Sequence, residues 1–313
     1  GATVVSKVGA TTTVTIDAGT VGNTLAVTPA TDSAADALTL NINKIGAADV
    51  VGVVTATDME TLTLNVADDA AVLGTGVLTL GGITSTKAKS ITLNSSADVT
   101  VGAASGSAAL TSFDASASTG KINLATGLTT SLAGATIKLG SSDDMLVANA
   151  TAGVATGGDT ITLGGGKDTV TYTALAQSGD KTVDTIVDFV SGADKLNLTG
   201  LGLNTSTLYL GARSNFGLAQ GALTGVAGQT VFQADTSTLW VDMNGDQTLN
   251  AADFRIILTG NTAITATDLS LGVGAAITLT APAASTTTLA NNAGASGKTT
   301  NENDTITTSI ANL

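Results

Sequence analysis

Short strand-like segments recur along the first two thirds of the chain. Residues 38–42 (LTLNI), 62–66 (LTLNV) and 91–94 (ITLN) are nearly identical, and each alternates apolar with polar side chains. A period of two is typical of a strand that is buried on one face. Thr, Val and Ile suit such strands because branched side chains pack well on a pleated surface. The pattern predicts an all-β chain. Weaker copies of the segment lie at 122–124, 137–140, 161–164 and 196–198.

The spacing of these segments favours a stack of rungs. They lie irregularly, about 15–30 residues apart, with Gly, Asn, Asp and Ser in the gaps. In a stack each rung covers the apolar face of its neighbour, and a narrow interior needs few aromatic residues. The chain has eight aromatic residues and two prolines, which fits long ladders. We expect a β-solenoid, or parallel β-roll, over 35–200, with a β-sandwich as the alternative. Little helix is expected, with one turn at 175–177.

The composition excludes several classes of function. The chain has no His and no Cys, so it has no histidine-based zinc site, no catalytic triad with His, no thiolate site and no disulfide. Its 12 Lys and Arg against 25 Asp and Glu give a net charge of −13, which excludes a basic nucleic-acid interface. An acidic chain of this kind is suited to binding hard cations through carboxylate oxygens.

The apolar runs are too short to cross a membrane. Thr, Gly or Asp interrupts each of them well before the ~20 residues of a spanning helix, so we expect no membrane span. The first residues, GATVVSKVGA, have no basic region and no initiator Met, and we interpret the chain as a processed product or an excised segment.

Glycine–aspartate turns follow the strand repeats. Residues 157–161 read GGDTI and 164–170 read GGGKDTV, and Asp144 begins the series in a weaker form. Glycines permit positive φ and bring backbone carbonyls inward, while each Asp supplies a carboxylate at the start of a strand. Carbonyls and carboxylates from successive turns together can form an oxygen cage for Ca²⁺, so that binding energy becomes folding energy. The alternative is a set of plain Gly-Asp turns without an ion.

These turns resemble the glycine- and aspartate-rich nonapeptide repeat of RTX proteins, which forms a parallel β-roll. The copies are degenerate, since Asp144 follows Ser141 and Ser142 where glycines are usual. The next segment, 184–198 (DTIVDFVSGADKLNL), is similar to the end of the β-roll in serralysin-type exoproteins, and 238–271 is similar to the last strands of that module. The calcium ligands that we predict on this basis are Asp143, Asp144, Gly157, Asp159, Gly164, Gly166, Asp168, Asp184, Asp188 and Asp194.

The resemblance implies a calcium-bound β-roll with a β-sandwich-like cap, exported by a type I secretion system. It does not imply protease activity, because the serralysin catalytic domain holds zinc with histidines and this chain has none.

A second calcium site is predicted at 242–253 (DMNGDQTLNAAD). Oxygen donors stand at positions 1, 3, 5, 9 and 12 of this stretch, as in an EF-hand loop or one half of a dockerin. The alternative is a hairpin turn rich in Asx residues, and the alternation of Phe254, Ile256 and Leu258 as a strand favours it. We expect Trp240, the single tryptophan, to pack in the core beside Phe232 and Phe254. The donors are Asp242, Asn244, Asp246, Asn250 and Asp253.

The upstream strands, with the phrase 110–116 (LTSFDAS), look like those of RTX-type bacterial surface-layer proteins. We divide the chain into a Thr/Ala/Gly-rich solenoid (1–135), a calcium β-roll (136–200), a cap (201–271) and a low-complexity tail (272–313) with strands near 277–280 and 303–306.

The favoured function is a non-enzymatic structural one. We expect an extracellular, cell-surface subunit or assembly domain of a bacterial surface layer that assembles with copies of itself through calcium. A further expected partner is cell-surface polysaccharide or lipopolysaccharide. The alternatives are a calcium-binding module of an RTX adhesin and, less favoured, part of a polysaccharide-active enzyme whose paired carboxylates would be Asp68-Asp69 or Asp143-Asp144.

Overall fold

Strands of successive rungs lie in register, so that the sequence repeats stack on one another. Leu38 pairs with Leu62, and Leu62 pairs with Ile91. Because the repeats are aligned, each apolar side chain that points inward meets an apolar side chain of the next rung. The same inner column continues through Phe113, Ile137, Ile161 and Ile186.

The computed structural model describes residues 1–19, 22–68, 76–102, 105–106, 108–124, 126–130, 133–148, 157–203 and 209–271. The strands in this part are β1 (Ala2–Val8), β2 (Thr11–Asp17), β3 (Asn23–Pro29), β4 (Ala37–Lys44), β5 (Ala48–Ala56), β6 (Thr61–Asp68), β7 (Val77–Thr84), β8 (Ser90–Ser95), β9 (Asp98–Val101), β10 (Ser105–Gly106), β11 (Ser112–Asp114), β12 (Ile122–Leu124), β13 (Leu128–Thr129), β14 (Thr136–Lys138), β15 (Met145–Val147), β16 (Thr160–Thr162), β17 (Thr169–Thr171), β18 (Thr185–Ile186), β19 (Lys195–Asn197), β20 (Tyr209–Arg213), β21 (Gln229–Gln233), β22 (Thr238–Asp242), β23 (Phe254–Leu258) and β24 (Leu269–Ser270).

In the solenoid, which has about eight turns, the chain passes back and forth between two sheets whose neighbouring strands are parallel. The first sheet runs β1-β3-β5-β7-β9-β12-β15-β17-β19-β24, with β10 and β13 beside it. The second runs β2-β4-β6-β8-β11-β14-β16-β18-β23-β22-β21-β20. The predicted all-β solenoid is therefore confirmed, and in the structure it begins with β1, β2 and β3, upstream of residue 35.

The described residues contain little helix, as predicted. The single α-helix in that part of the chain, α1, spans Phe216–Gln220. The turn expected at 175–177 is a 3₁₀ helix, Leu175–Gln177, and two more 3₁₀ turns span Thr199–Leu201 and Ala266–Asp268. None of the helices in the described residues is long and apolar enough to cross a membrane.

The cap is continuous with the solenoid. β23 stacks in parallel on β18 of the last rung, and β22 and β21 follow it as antiparallel neighbours. β24 stacks on β19, so the cap closes both sheets. Phe254–Leu258 is a strand, as the alternation of its apolar residues predicted.

One predicted contact in the cap is wrong. Trp240 is buried, as expected, but Phe232 and Phe254 belong to the main core, whereas Trp240 lies in a smaller cluster with Val231 and Leu249. Trp240 takes the opposite face of β22 from its neighbours Leu239 and Val241, because successive side chains of a strand point to opposite sides.

The described residues all belong to one compact unit, Gly1–Ala276. The boundaries that we predict inside it, near 135 and 200, remain predictions. The predicted tail, with its strands near 277–280 and 303–306, lies outside the described residues.

Candidate metal centre

The loops that lead from the second sheet to the first form one long edge of the solenoid, which we call the first edge. Three successive loops of this edge occupy 139–144, 163–168 and 187–194, before β15, β17 and β19. Most of the predicted calcium ligands are on these loops, because each rung places its turn directly over the turn of the rung before. They are Asp143, Asp144, Gly164, Gly166, Asp168, Asp188 and Asp194.

Three buried aspartates form a row along the first edge. Asp168 Oδ1 accepts the N–H of Asp144 at 2.7 Å, and Asp194 Oδ1 accepts the N–H of Asp168 at 3.0 Å. Asp144 Oδ1 in turn accepts the N–H of Ile122, one rung earlier, at 2.7 Å. Each carboxylate thus binds the backbone of the preceding rung where the chain turns into a strand. We call Asp144, Asp168 and Asp194 the first aspartate row.

Asp168 is the member of this row with an open oxygen. Its side chain is 1% exposed, and among the described residues its Oδ2 has no hydrogen-bond partner. Burial, followed by the neighbouring charges of Asp194 and Asp144, raises the pKa of Asp168 to about 7, against the opposing effect of the Asp144 N–H. A buried carboxylate oxygen without a donor is costly, so this position calls for a proton or a cation.

Burial also raises the pKa of the other two members of the first aspartate row. The N–H groups of Ile122 and Gly140 act against this rise at Asp144, and those of Asp168 and Val190 act against it at Asp194.

Glycines let the loops of adjacent rungs approach one another. Gly164 has a φ of +88°, and a Cβ there would lie 1.9 Å from the carbonyl oxygen of Gly140 in the previous rung. Gly166 has a φ of +119°, and its Cβ would lie 2.6 Å from the carbonyl oxygen of Ser142. Any other residue would collide with the carbonyls that border the first aspartate row.

Two more predicted ligands hold the loop at 163–168 in place. Asp188 accepts the N–H groups of Leu163 at 2.8 Å and Gly164 at 2.9 Å. Asp143, in the rung before, accepts the N–H of Lys167 at 2.7 Å. These carboxylates therefore bind backbone at the rim of the first edge.

The remaining roll residues lie on the opposite edge, which we call the second edge. Asp159 Oδ1 accepts the N–H of Ala135, and Asp184 Oδ1 accepts the N–H of Asp159, both at 2.7 Å. Asp184 Oδ2 accepts the hydroxyl of Tyr172 at 3.0 Å. Burial raises the pKa of both carboxyls, and for Asp184 it does so strongly. Gly157 stands two residues before Asp159, where a Cβ would lie 2.3 Å from the carbonyl oxygen of Ala133.

The first edge carries oxygen donors of the kind that calcium binds. No group of three or more acidic side chains within the described ranges is placed to hold a metal by itself. Calcium also accepts backbone carbonyl oxygens, which the glycine loops bring beside the row. The open oxygen of Asp168 fits such an ion. Asp144, Asp168 and Asp194 would hold it, and it would supply positive charge that neutralises stacked carboxylates and joins adjacent rungs.

The second predicted site is a β-hairpin whose loop satisfies its own backbone. Asp242 accepts the N–H groups of Gly245 at 2.7 Å and Gln247 at 3.1 Å. Asp253 accepts those of Met243 and Asn250, at 3.0 and 2.9 Å. This is the Asx-rich turn that we gave as the alternative.

The other donors of the hairpin also bond within the loop. Asp246 accepts an N–H of the Asn244 side chain at 2.9 Å, and Asn250 Oδ1 accepts the N–H of Ala252 at 2.7 Å. The five side chains therefore close the turn by themselves, and calcium binding here stays a prediction.

Carboxylates that were not among the predicted ligands bind backbone N–H groups elsewhere in the chain. In the upstream rungs Glu60 accepts the N–H of Asp36 at 2.9 Å, and Asp98 accepts that of Lys121 at 2.8 Å. In the cap, Asp268 accepts the N–H groups of Gly192 and Thr265, at 2.9 and 2.7 Å. An acidic residue directly before a strand or at its first position is the signal that they share, and without a nearby glycine pair it does not stand out.

A solenoid whose glycine turns stack acidic side chains along its edges defines the architecture of an RTX-type β-roll. The family model of the Peptidase M10 serralysin C terminal matches residues 80–271, more than half of the chain. The chain therefore belongs to this family. A comparison with the curated proteins gave no significant match.

The family gives the candidate site a context. Serralysin C-terminal β-roll domains bind calcium in general, and they are the non-catalytic part of serralysin-type proteins. The domain indicates a secreted protein of the RTX type.

Proposed function

We propose that this protein is an extracellular structural protein, a calcium-stabilised subunit or assembly domain of a bacterial surface layer. In this proposal calcium fills the first edge and makes the rungs rigid, and rigid subunits then pack with copies of themselves at the cell surface. Export by a type I secretion system and attachment to cell-surface polysaccharide or lipopolysaccharide are parts of the same proposal.

The observation that carries the proposal is the outer face of the second sheet over β4, β6 and β8. It is a regular array of small, uncharged side chains, and amide side chains link its rungs: Asn65 donates to Asn41 and Asn94 donates to Asn65, both at 2.9 Å. The outward residues are Ala37, Thr39, Asn41, Asn43, Thr61, Thr63, Asn65, Ala67, Ser90, Thr92 and Asn94.

Such a face favours ordered packing for two physical reasons. Its short side chains lose little conformational entropy on contact, whereas exposed Lys and Glu would lose more. The net charge of −13 makes copies of the chain repel one another, and bound calcium would reduce that repulsion. Both reasons favour assembly that depends on calcium.

Electron microscopy of the purified protein with and without millimolar calcium tests the proposal. We expect sheets or filaments with calcium only. The variant Thr63→Lys, which places a charge in the middle of the uncharged face, should abolish them without lowering Tm. The matched control is Thr79→Lys, at an exposed position of β7 on the first sheet, and it should still assemble.

Monomers of the wild-type protein in calcium would overturn the assembly role and favour the adhesin alternative. Assembly by Thr63→Lys that equals that of Thr79→Lys would show that the uncharged face is not the contact. Cleavage of a glycan by the purified protein would displace both functions.

A further inference from the structure

The cap contains a concave site beside the single tryptophan. A cavity of about 360 Å³ opens on the outer face of β21, β22 and β23, next to α1. Its walls combine aromatic, cationic, amide and hydroxyl side chains, a mixture that is suited to a polar ring-shaped ligand. Its lining includes Phe216, Gln233, Thr236, Thr238, Trp240 and Arg255.

Two aromatic rings form the apolar wall of this cavity. Trp240 and Phe216 pack edge to face, with ring centroids 6.1 Å apart and planes at 72°. Trp240 is 6% exposed, whereas Phe216, at the start of a five-residue helix, is 41% exposed. An exposed aromatic ring backed by a buried one offers a rigid surface on which the C–H face of a sugar ring can stack.

A partly free guanidinium faces the same space. Arg255 lies over the Trp240 ring with its Cζ 5.1 Å from the ring centroid. Nη2 donates to the carbonyl of Asp180 at 3.0 Å, and the other N–H groups of the Arg255 guanidinium have no hydrogen-bond partner among the described residues. The Asp180 carboxylate is 3.8 Å away and half exposed, so this ion pair is loose. Arg255 can therefore donate hydrogen bonds to the carboxylate of a ligand through its remaining guanidinium N–H groups.

Amide and hydroxyl groups complete the polar wall. The indole N–H of Trp240 donates to Gln233 at 3.0 Å, which fixes the side-chain amide of Gln233. The hydroxyls of Thr236 and Thr238 lie 2.9 Å apart at the same wall. Two neighbouring hydroxyls can donate to and accept from the vicinal hydroxyls of a sugar.

We propose that this cavity binds an acidic sugar residue of a cell-surface polysaccharide. The sugar carboxylate pairs with Arg255, its ring stacks on Phe216, and its hydroxyls contact Gln233, Thr236 and Thr238. This inference rests on the proposed function, since it names the group by which a surface-layer subunit would contact the cell. The sequence around Trp240 shows no aromatic neighbour that would indicate sugar stacking, and only the fold places Phe216 beside it.

The single tryptophan makes the site directly observable. Titration of the calcium-loaded protein with a hexuronic acid oligosaccharide should change the Trp240 fluorescence with saturation, whereas a neutral glucose oligosaccharide should give little change. Arg255→Gln should weaken binding by about tenfold or more, because the charge-assisted bond is lost. Arg213→Gln, which removes the other arginine of the chain, should leave binding unchanged.

A second pair of variants tests the stacking surface, with Tm as the check on folding. Phe216→Ala should weaken hexuronate binding, whereas Leu218→Ala, an exposed apolar residue of the same helix, should not. Equal binding of the neutral and the acidic oligosaccharide, no fluorescence change, or preferential binding of a peptide that ends in a free carboxylate would each overturn the assignment. The titration measures binding of the oligosaccharide at the cap and does not measure assembly, so it can fail while calcium-dependent assembly is retained.

Discussion

Asp168 shows how one side chain can be both part of the fold and a candidate ligand. Its Oδ1 binds the backbone of the previous rung, and its Oδ2 stays buried without a donor in the described part of the chain. The first role aligns two rungs and needs no ion. The second leaves a cost that a proton or a cation removes.

We predict that Asp168→Asn reduces the response to calcium without weakening the calcium-free fold. The wild-type Tm should rise by several degrees on addition of calcium, and the variant should show at most half of that rise. In chelator at pH 8 the variant should be at least as stable, because it removes a buried charge between Asp144 and Asp194. Calorimetry with calcium and with chelator measures both effects.

The control for this prediction is Asp114→Asn. Asp114 lies at an outward position of β11 and belongs to neither edge. It should keep the full response to calcium. A rise in Tm for Asp168→Asn that equals that of the wild type would exclude Asp168 as a ligand.

The loops of the first edge depend on backbone conformations that glycine provides. Gly164 and Gly192 occupy equivalent loops of adjacent rungs and share a φ of +88°. They differ in their surroundings, since a Cβ on Gly164 would lie 1.9 Å from the carbonyl oxygen of Gly140, and one on Gly192 has nothing within 4 Å. The pair therefore separates the strain of positive φ from the cost of close approach.

We predict that Gly164→Ala is much more destabilising than Gly192→Ala. Both variants pay roughly 1–2 kcal/mol for a side chain at positive φ. Gly164→Ala must also push two rungs apart at the carbonyl contact, so its total loss should be at least twice that of Gly192→Ala. Denaturant unfolding with calcium measures both losses, and equal values would show that the rungs do not approach as closely as described.

At the scale of elements, the sequence predicted more of the strands than of their contacts. The period of two identified β4, β6 and β8, because a strand that is buried on one face alternates apolar and polar residues in its sequence. It did not show that Asp159 and Asp168, nine residues apart, stand on opposite edges, because that depends on how much chain each strand and turn uses. The sequence also led us to expect Trp240 beside Phe232 and Phe254. The residues of β22 themselves do not show which side chains of other elements cover each face of that strand.

Across the whole molecule, repulsion between negative charges opposes folding, and bound calcium would reduce that repulsion. The chain has a net charge of −13, and burial raises the pKa values of Asp144, Asp159, Asp168, Asp184 and Asp194 together along its two edges. Stacking brings like charges together at every rung, so the cost grows with the length of the roll.

We predict that the calcium-free protein loses stability as the pH rises from about 4 to 7. Between the unfolded pKa of 3.8 and the folded pKa of about 7, Asp168 is protonated when folded and ionised when unfolded. The folded state then binds more protons, so the free energy of unfolding falls with rising pH. In chelator, Tm should be several degrees higher at pH 5 than at pH 8.

Calcium should reverse this dependence, because the ion binds the ionised carboxylates and competes with protons. The same scans in millimolar calcium should give the higher Tm at pH 8. Hydrogen bonds from Ser33 lower the pKa of Asp36, so this residue makes the free energy of unfolding rise with pH, but only below about pH 4. It therefore does not affect the comparison of Tm at pH 5 with Tm at pH 8. A calcium-free Tm that rises between pH 5 and pH 8 would contradict the prediction.

The amino-acid sequence by itself determined that this chain is a stack of short strands with glycine–aspartate turns. Alternation, turn residues and the lack of aromatic bulk are local properties, and they act within a few residues. Only the tertiary structure decided which carboxylates meet, which oxygen of Asp168 stays open, and that Phe216 lies beside Trp240. These are contacts between residues about 24 apart in sequence, and they exist only once the rungs are in register.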